Sequence, residues 1–316
     1  MSRMKIKRFL SLFSALATGF LMLASVQPSL ALKIGLPNLL FVPRIFWVIV
    51  LAGLVIVAVC AKCLLSVACW AFLLLSLWAV PTTSGASVFK KAGKSTTLRV
   101  VTINCQSYEA DIEAVSDKLR GLNPDIVLLQ EVWRQHHVES LLCRLPGFRS
   151  YGTFPEKPED FLPGVAVFAQ DSVLGLFQPE SSRWVLAKVS LNDSPPLTVG
   201  SYHGAKAKIG AAAVSSPTVA RRTIDLQKAQ LAQVVEREPD LVAGDFNALP
   251  EALWEIEAMS NYQVATPPRP TYPATFPVMS LDRVYFNPRR LGLAGVWTED
   301  LGCDHLAVIC DFRIIK

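Results

Sequence analysis

Asp240-Leu241-Val242-Ala243-Gly244-Asp245-Phe246-Asn247-Ala248-Leu249-Pro250 is an apolar run that ends in glycine, followed by an acid and an amide two residues apart. Side chains alternate along a strand with period two, so a strand through this stretch points Asp245 and Asn247 the same way. Gly244 lets the backbone approach a neighbour closely, and Pro250 stops the strand pattern. A carboxylate beside a carboxamide at a strand end suits a nucleophilic water and an oxyanion.

Working outward, Ser216-Pro217 reads as an N-cap and first helical position. The helix runs to about Arg237, with Ile224, Leu231, Val234 and Val235 on one face. Before it, Leu197–Gly204 reads as a strand ending at His203, which gives strand–helix–strand logic around Asp245. Further towards the N-terminus, Leu98–Cys105 is a β-branched strand with Asn104 near its end. Ile112, Val115, Leu119 and Leu122 then follow at helical spacing, stopped by Asn123-Pro124. Asp125–Val132 is a buried strand whose apolar run breaks at Gln130-Glu131. A charge at the end of a buried strand is costly unless it is paired or binds metal, which singles out Glu131. A polar helix carrying His136 and His137 follows, and these two are read as surface residues. Gly164–Gln170 and Arg183–Leu191 are further strands. Beyond Pro250, Leu249–Met259 is read as helix and Pro267–Pro277 as a proline-rich loop. Leu281–Phe286 is a strand carrying Asp282, and Asp304-His305 stands just before a terminal strand. The order of elements predicts an α/β or α+β sandwich of two sheets with outer helices.

Charge divides the chain. Its net charge is +5, but residues 1–97 hold ten basic residues and no acid, leaving 21 basic against 26 acidic residues in 98–316. The basic excess belongs to the N-terminal part and is no argument for a nucleic-acid surface; the acidic remainder argues mildly against an electrostatic grip on duplex backbone. Uncharged runs at 9–26, 45–61 and 63–80 are of spanning length, the last two separated by Lys62 alone. We read them as transmembrane helices, the first with a signal-peptide alternative because Ser29-Leu30-Ala31 resembles a cleavage site. The basic N-terminus places residues 98–316 outside the cytoplasm, although Lys90, Lys91, Lys94 and Arg99 pull against that orientation. Residues 81–97 read as a linker. Ala92-Gly93-Lys94-Ser95-Thr96 is no phosphate loop, because Val88 stands where that pattern needs glycine. Cys60 and Cys63 form a C-x-x-C without the surrounding elements of a redox motif. Cys105, Cys143, Cys303 and Cys310 lack metal-site spacing.

Asn104, Glu131, His203, Asp245, Asn247, Asp282, Asp304 and His305 all fall at strand ends or on adjoining loops. Several carboxylates gathered at one edge call for a hard divalent cation. Mg²⁺ is favoured, with Mn²⁺ or Ca²⁺ as alternatives. Metal, two histidines and an Asp/Asn pair suit attack of water on phosphorus.

The ordered set TIN, LLQEV, a strand-end histidine, GDFN, LDRVY and DHLAV resembles the endonuclease/exonuclease/phosphatase superfamily over residues 98–316. The resemblance implies an α+β fold, the four-layer α/β/β/α sandwich of DNase I, here preceded by N-terminal transmembrane helices. It implies that Glu131 binds metal, with Asn104 beside it at the metal or phosphate and Asp304 helping to hold the metal, and that Asp245 orients or deprotonates the water. Asn247 would stabilise the oxyanion, and His305, oriented by Asp282, would contact the scissile phosphate. His203 would be a phosphate ligand or general acid, as in the DNase I and sphingomyelinase branches. Cys303 departs from the serine that many members carry before Asp-His, and Tyr151 and Arg222 are the candidates for a further phosphate contact. The expected activity is a membrane-anchored, metal-dependent phosphoesterase acting on a phosphodiester or phosphomonoester. The alternatives are a nuclease acting on DNA or RNA and a catalytically silent, membrane-tethered binding domain. The substrate is a lipid, small-molecule or nucleic-acid phosphate ester, and no obligate protein partner is evident.

Overall fold

The computed structural model describes residues 98–106, 111–132, 135–153, 164–177, 183–191, 195–206, 217–248 and 259–315. The expected spans at 9–26, 45–61 and 63–80, the linker at 81–97 and most of the helix expected at 249–259 lie outside the described residues. Among the described residues, no helix is long and apolar enough to cross a membrane. The chain forms two compact units. One comprises Gly85–Lys206, Leu226–Asn247 and Ile256–Lys316 and contains both sheets; the other comprises Met1–Ser84, Ala207–Asp225 and Ala248–Glu255.

The first sheet contains β1 (Leu98–Asn104), β2 (Ile126–Val132), β3 (Phe148–Thr153), β4 (Gly164–Gln170), β11 (Leu291–Glu299) and β12 (Ala307–Ile314), in the order β11-β12-β1-β2-β4-β3. The second contains β5 (Ser172–Phe177), β6 (Trp184–Ser190), β7 (Leu197–His203), β8 (Leu241–Asp245), β9 (Gln263–Ala265) and β10 (Asp282–Phe286), in the order β5-β6-β7-β8-β10-β9. Each sheet has one parallel pair at its centre, β1 with β2 and β7 with β8, flanked by antiparallel neighbours.

The helices are α1 (Ile112–Leu122), α2 (Gln135–Arg144) and α3 (Pro217–Val235). Helix α1 starts where Asp111 accepts hydrogen bonds from the Glu113 and Ala114 amides, at 3.1 and 3.2 Å. It ends at Asn123 in the left-handed conformation, just before Pro124. Two apolar clusters arise from the alternation of the strands. Between the sheets lie Leu98, Val100, Ile126, Leu128, Val199, Leu241, Ala243, Val284 and Phe286. On the outer face of the first sheet, Val101, Ile103, Val127 and Leu129 pack with Val115 and Leu119 of α1 and Leu141 of α2. On the second sheet, the Tyr202 hydroxyl lies 3.2 Å from Gln230 of α3, and Leu231 and Val234 of that helix are buried. Helices therefore cover the outer faces of two mixed sheets, an α+β sandwich.

Strands β3, β5, β9 and β11 escaped the sequence reading. FRSYGT, SVLGLF and LGLAGVWTE contain glycine inside the strand, which weakens an apolar pattern, and β9 has three residues only. Tyr151 of β3 packs against the cluster between the sheets, its ring beside Gly175, so it is a packing residue and not a phosphate contact. Arg222 of α3 is exposed.

Candidate active site

Four strands carry their inward rows one step beyond the apolar core. Leu98, Val100 and Thr102 lead to Asn104; Leu197, Val199 and Ser201 lead to His203; Leu241 and Ala243 lead to Asp245; Phe286 and Val284 lead back to Asp282. Period two points each of these side chains between the sheets, and the register aligns them: His203 pairs with Asp245, and Asp245 with Asp282. One layer below, Gln130 donates to Ser201 Oγ at 3.0 Å and to Thr102 Oγ1 at 3.2 Å, and Ser201 donates to the Leu129 carbonyl at 2.8 Å. This satisfied polar layer joins the dry core to the charged end.

Glu131 reaches the site by another route. Alternation along β2 would turn it towards the helices, with Val127 and Leu129. A β-bulge between Gln130 and Val132 and a φ of 57° at Glu131 re-aim it. Its Oε1 accepts from Asn104 Nδ2 at 3.1 Å, while the same Nδ2 lies 3.0 Å from Asp245 Oδ2. Asn104 thus bridges two buried carboxylates from the two sheets.

Asn247 corrects the period-two expectation. The strand ends at Asp245, and Asn247 has φ 48° in the turn beyond it. Its backbone amide donates to Asp245 Oδ1 at 2.8 Å, and its side-chain amide donates to the Gly204 carbonyl at 3.1 Å. The acid and the amide are brought together by an Asx turn rather than by a shared strand face. At Gly244, with φ 151°, a Cβ would overlap the Tyr202 carbonyl oxygen, so only glycine allows β8 to lie this close to β7.

His305 lies on the loop before β12, its Nδ1 2.8 Å from Asp282 Oδ2 and its Nε2 3.8 Å from Asp245 Oδ2. Burial alone would lower its pKa, but the carboxylates of Asp282 and Asp245 outweigh that and raise it to about 10. His203 has its Nε2 3.4 Å from Glu131 Oε1 and 3.8 Å from Asp245 Oδ2. Here burial dominates over the nearby acids and the pKa falls to about 4. Asp245 is fully buried and its pKa is raised, first by burial and then, against the pull of His305, by Asp282. Asp304 is half-buried and also raised, by burial ahead of its neighbours' charges.

All eight residues singled out in the sequence sit on these strand ends or the loops beside them. Two trios have ligand atoms within 4.8 Å of one another, Glu131-His203-Asp245 and Asp245-Asp282-His305, sharing Asp245. Asp304 belongs to neither, but its Oδ1 and Asp282 Oδ1 are buried oxygens without a hydrogen-bond partner among the described residues. Orphaned carboxylate oxygens of this kind fit a hard divalent cation.

Two neighbours were not read as site residues in the sequence. The Tyr272 ring packs on His305 with centroids 4.6 Å apart, and Lys206 Nζ lies 2.6 Å from Glu131 Oε1. Tyr272 sits in a proline-rich loop with no local pattern to mark it. Lys206 stands three residues after His203, a proximity visible only once β7 is seen to end at the site.

The endonuclease/exonuclease/phosphatase family matches residues 101–305. Among curated proteins, none matches this chain in sequence. Solved structures with a similar fold include the endonuclease/exonuclease/phosphatase of Beutenbergia cavernae, 19% identical with a TM-score of 0.53 over 70% of this chain and 72% of that one. D. rerio TDP2, complexed with a single-strand DNA product, is 14% identical with a TM-score of 0.53 over 69% and 99%. The human nocturnin catalytic domain, with bound sulfate, is 19% identical with a TM-score of 0.51 over 69% and 94%. With the family match spanning most of the chain and the strand-end cluster inside it, the protein belongs to the endonuclease/exonuclease/phosphatase family of phosphoric ester hydrolases.

Proposed function

We propose that the protein is a divalent-metal-dependent phosphoesterase, tethered to a membrane by its N-terminal segments, that cleaves a P–O bond by in-line attack of water. The observation that carries this reading is Asp245, a buried carboxylate with a raised pKa, flanked by His203 and His305 and bridged to Glu131 through Asn104. Asp245 accepts the proton of the attacking water, and its raised pKa makes it a better base than an exposed aspartate. Asn247, held by the turn at Asp245, faces the developing oxyanion with the N–H that Gly204 does not take. His305, charged and oriented by Asp282, contacts the scissile phosphate. His203, kept neutral by burial, is a hydrogen-bonding partner of phosphate rather than a source of positive charge. Glu131 and Asp304 would hold the metal with Asn104 beside them, its Oδ1 shared with the Gln106 amide at 2.9 Å, and Mg²⁺ suits such oxygen donors. When bound, it would supply Lewis-acid stabilisation of phosphoryl charge.

Purified full-length protein should be assayed with Mg²⁺ on plasmid DNA, sphingomyelin vesicles, phosphoinositides and p-nitrophenyl phosphate esters. Turnover that is abolished by EDTA is expected on at least one. Equal rates for wild type and an Asp245→Asn/His305→Ala double variant on every substrate would refute the enzyme reading. Cleavage of DNA alone would identify a nuclease, against the mild argument from the acidic 98–316 segment. A reporter fused at Lys316 tests the extracytoplasmic placement proposed for this segment; a cytoplasmic signal would overturn it.

A further inference from the structure

Glu131 Oε1 is a crowded oxygen. It accepts from Asn104 Nδ2 at 3.1 Å, faces His203 Nε2 at 3.4 Å and holds the Lys206 ammonium at 2.6 Å. Asn104 and His203 are buried at strand ends and cannot leave, whereas the Lys206 side chain is 62% exposed. A buried carboxylate left without a cation is costly. Two cations on one oxygen repel, and a divalent ion brings the larger charge.

We propose that Lys206 is a built-in competitor for the metal position on Glu131, and that metal binding displaces it to bind a non-bridging oxygen of the substrate phosphate. The inference rests on the metal-dependent reading above. A lysine suits both positions. Its ammonium is a compact, strongly hydrated point charge on a flexible stem, able to pair with a carboxylate or a phosphate. Its attachment point does not move. Lys206 is anchored three residues beyond His203, after a segment tied down by the Gly204 amide on the Asp245 carbonyl at 2.7 Å and by Gln227 on the Ala205 carbonyl at 2.9 Å. The displaced ammonium therefore stays at the edge of the site, beside the residues that face the phosphate.

The test uses full-length protein stripped with EDTA and titrated calorimetrically with Mg²⁺ and Mn²⁺. Removing the competitor in Lys206→Met should tighten metal binding about tenfold. At saturating metal, the same variant should bind inorganic phosphate about tenfold more weakly, and Lys206→Arg should restore that affinity by restoring the charge. Unchanged or weaker metal binding in Lys206→Met overturns the competition. Unchanged phosphate binding at saturating metal overturns the transfer to substrate. A wild-type protein that binds neither metal removes the metal-dependent reading and this inference with it, an outcome distinct from the other two.

Discussion

His203 and His305 present their Nε2 atoms to the same oxygen, Asp245 Oδ2, each at 3.8 Å, yet their pKa values move in opposite directions. The difference lies at the other ring nitrogen. Nδ1 of His305 is 2.8 Å from Asp282 Oδ2, while Nδ1 of His203 has no hydrogen-bond partner among the described residues. Burial wins at one ring and charge at the other. One acid thus stands between a neutral and a cationic imidazole, an arrangement that separates hydrogen bonding from charge stabilisation.

This contrast makes stability depend on pH in opposite senses. The folded pKa of His305, about 10, exceeds the unfolded value of about 6.5, so the native state holds this proton more tightly. Its contribution is whole below pH 6.5 and is lost as pH rises towards 10. For His203, depressed to about 4, the unfolded chain takes the proton first, so its contribution is present above pH 6.5 and is lost as pH falls towards 4. In EDTA-treated protein, the loss of thermal stability between pH 7 and 10 should be smaller in His305→Asn than in wild type. Parallel curves for the two would contradict the assignment.

Glu131→Gln removes the charge from the carboxylate proposed to hold metal. Wild-type protein at a metal concentration 100 times its Kd should gain about 2.7 kcal/mol of stability. The variant should gain far less, read as the shift in melting temperature on adding Mg²⁺. An equal shift in both would place the metal elsewhere.

Asn247→Ala should lower kcat by roughly 10²- to 10³-fold with little change in KM, because the amide is proposed to act on charge that develops only in the transition state. The loss of its hydrogen bond to the Gly204 carbonyl should cost stability by only about 1 kcal/mol. A proportionate rise in KM at constant kcat would show that Asn247 binds the ground state instead.

Away from the site, Arg99 of β1 donates to both carboxylate oxygens of Asp311 on β12, at 2.8 and 3.0 Å, with both residues buried. Asp311→Ala leaves a buried guanidinium unpaired and should destabilise the protein by about 3–5 kcal/mol, measured by chemical denaturation. Below the unfolding transition, kcat should match wild type. A large loss of kcat in folded protein would mean that this pair positions the site.

Much of the site was legible because period two is a local rule. Asn104, His203, Asp245 and Asp282 continue rows of alternating apolar residues, and a polar residue ending such a row must face the partner sheet's interior. The break at Gln130-Glu131, the pairing of Asp304 with His305 before the last strand, and the stop of α1 at Asn123-Pro124 needed only their own neighbours in the chain.

Other features depended on contacts between distant segments. Nothing local shows that β2 bulges at Glu131 and turns its carboxylate away from the helices, because the bulge is a mismatch with β4. The turn at Asn247 is half local, an Asx hydrogen bond to Asp245 two residues back, and only its second bond, to the Gly204 carbonyl, joins a distant segment. The opposite charge states of the two histidines depend on which ring meets Asp282, and the place of Lys206 depends on which carboxylate β2 delivers to the end of β7. From its sequence alone, the site-bearing strand rows and the resemblance to the family were legible, since they follow from residue periodicity and ordered motifs. Tertiary structure alone decided the aim of Glu131 and the protonation of the histidines, since the first depends on the mismatch with β4 and the second on which buried carboxylates meet each ring.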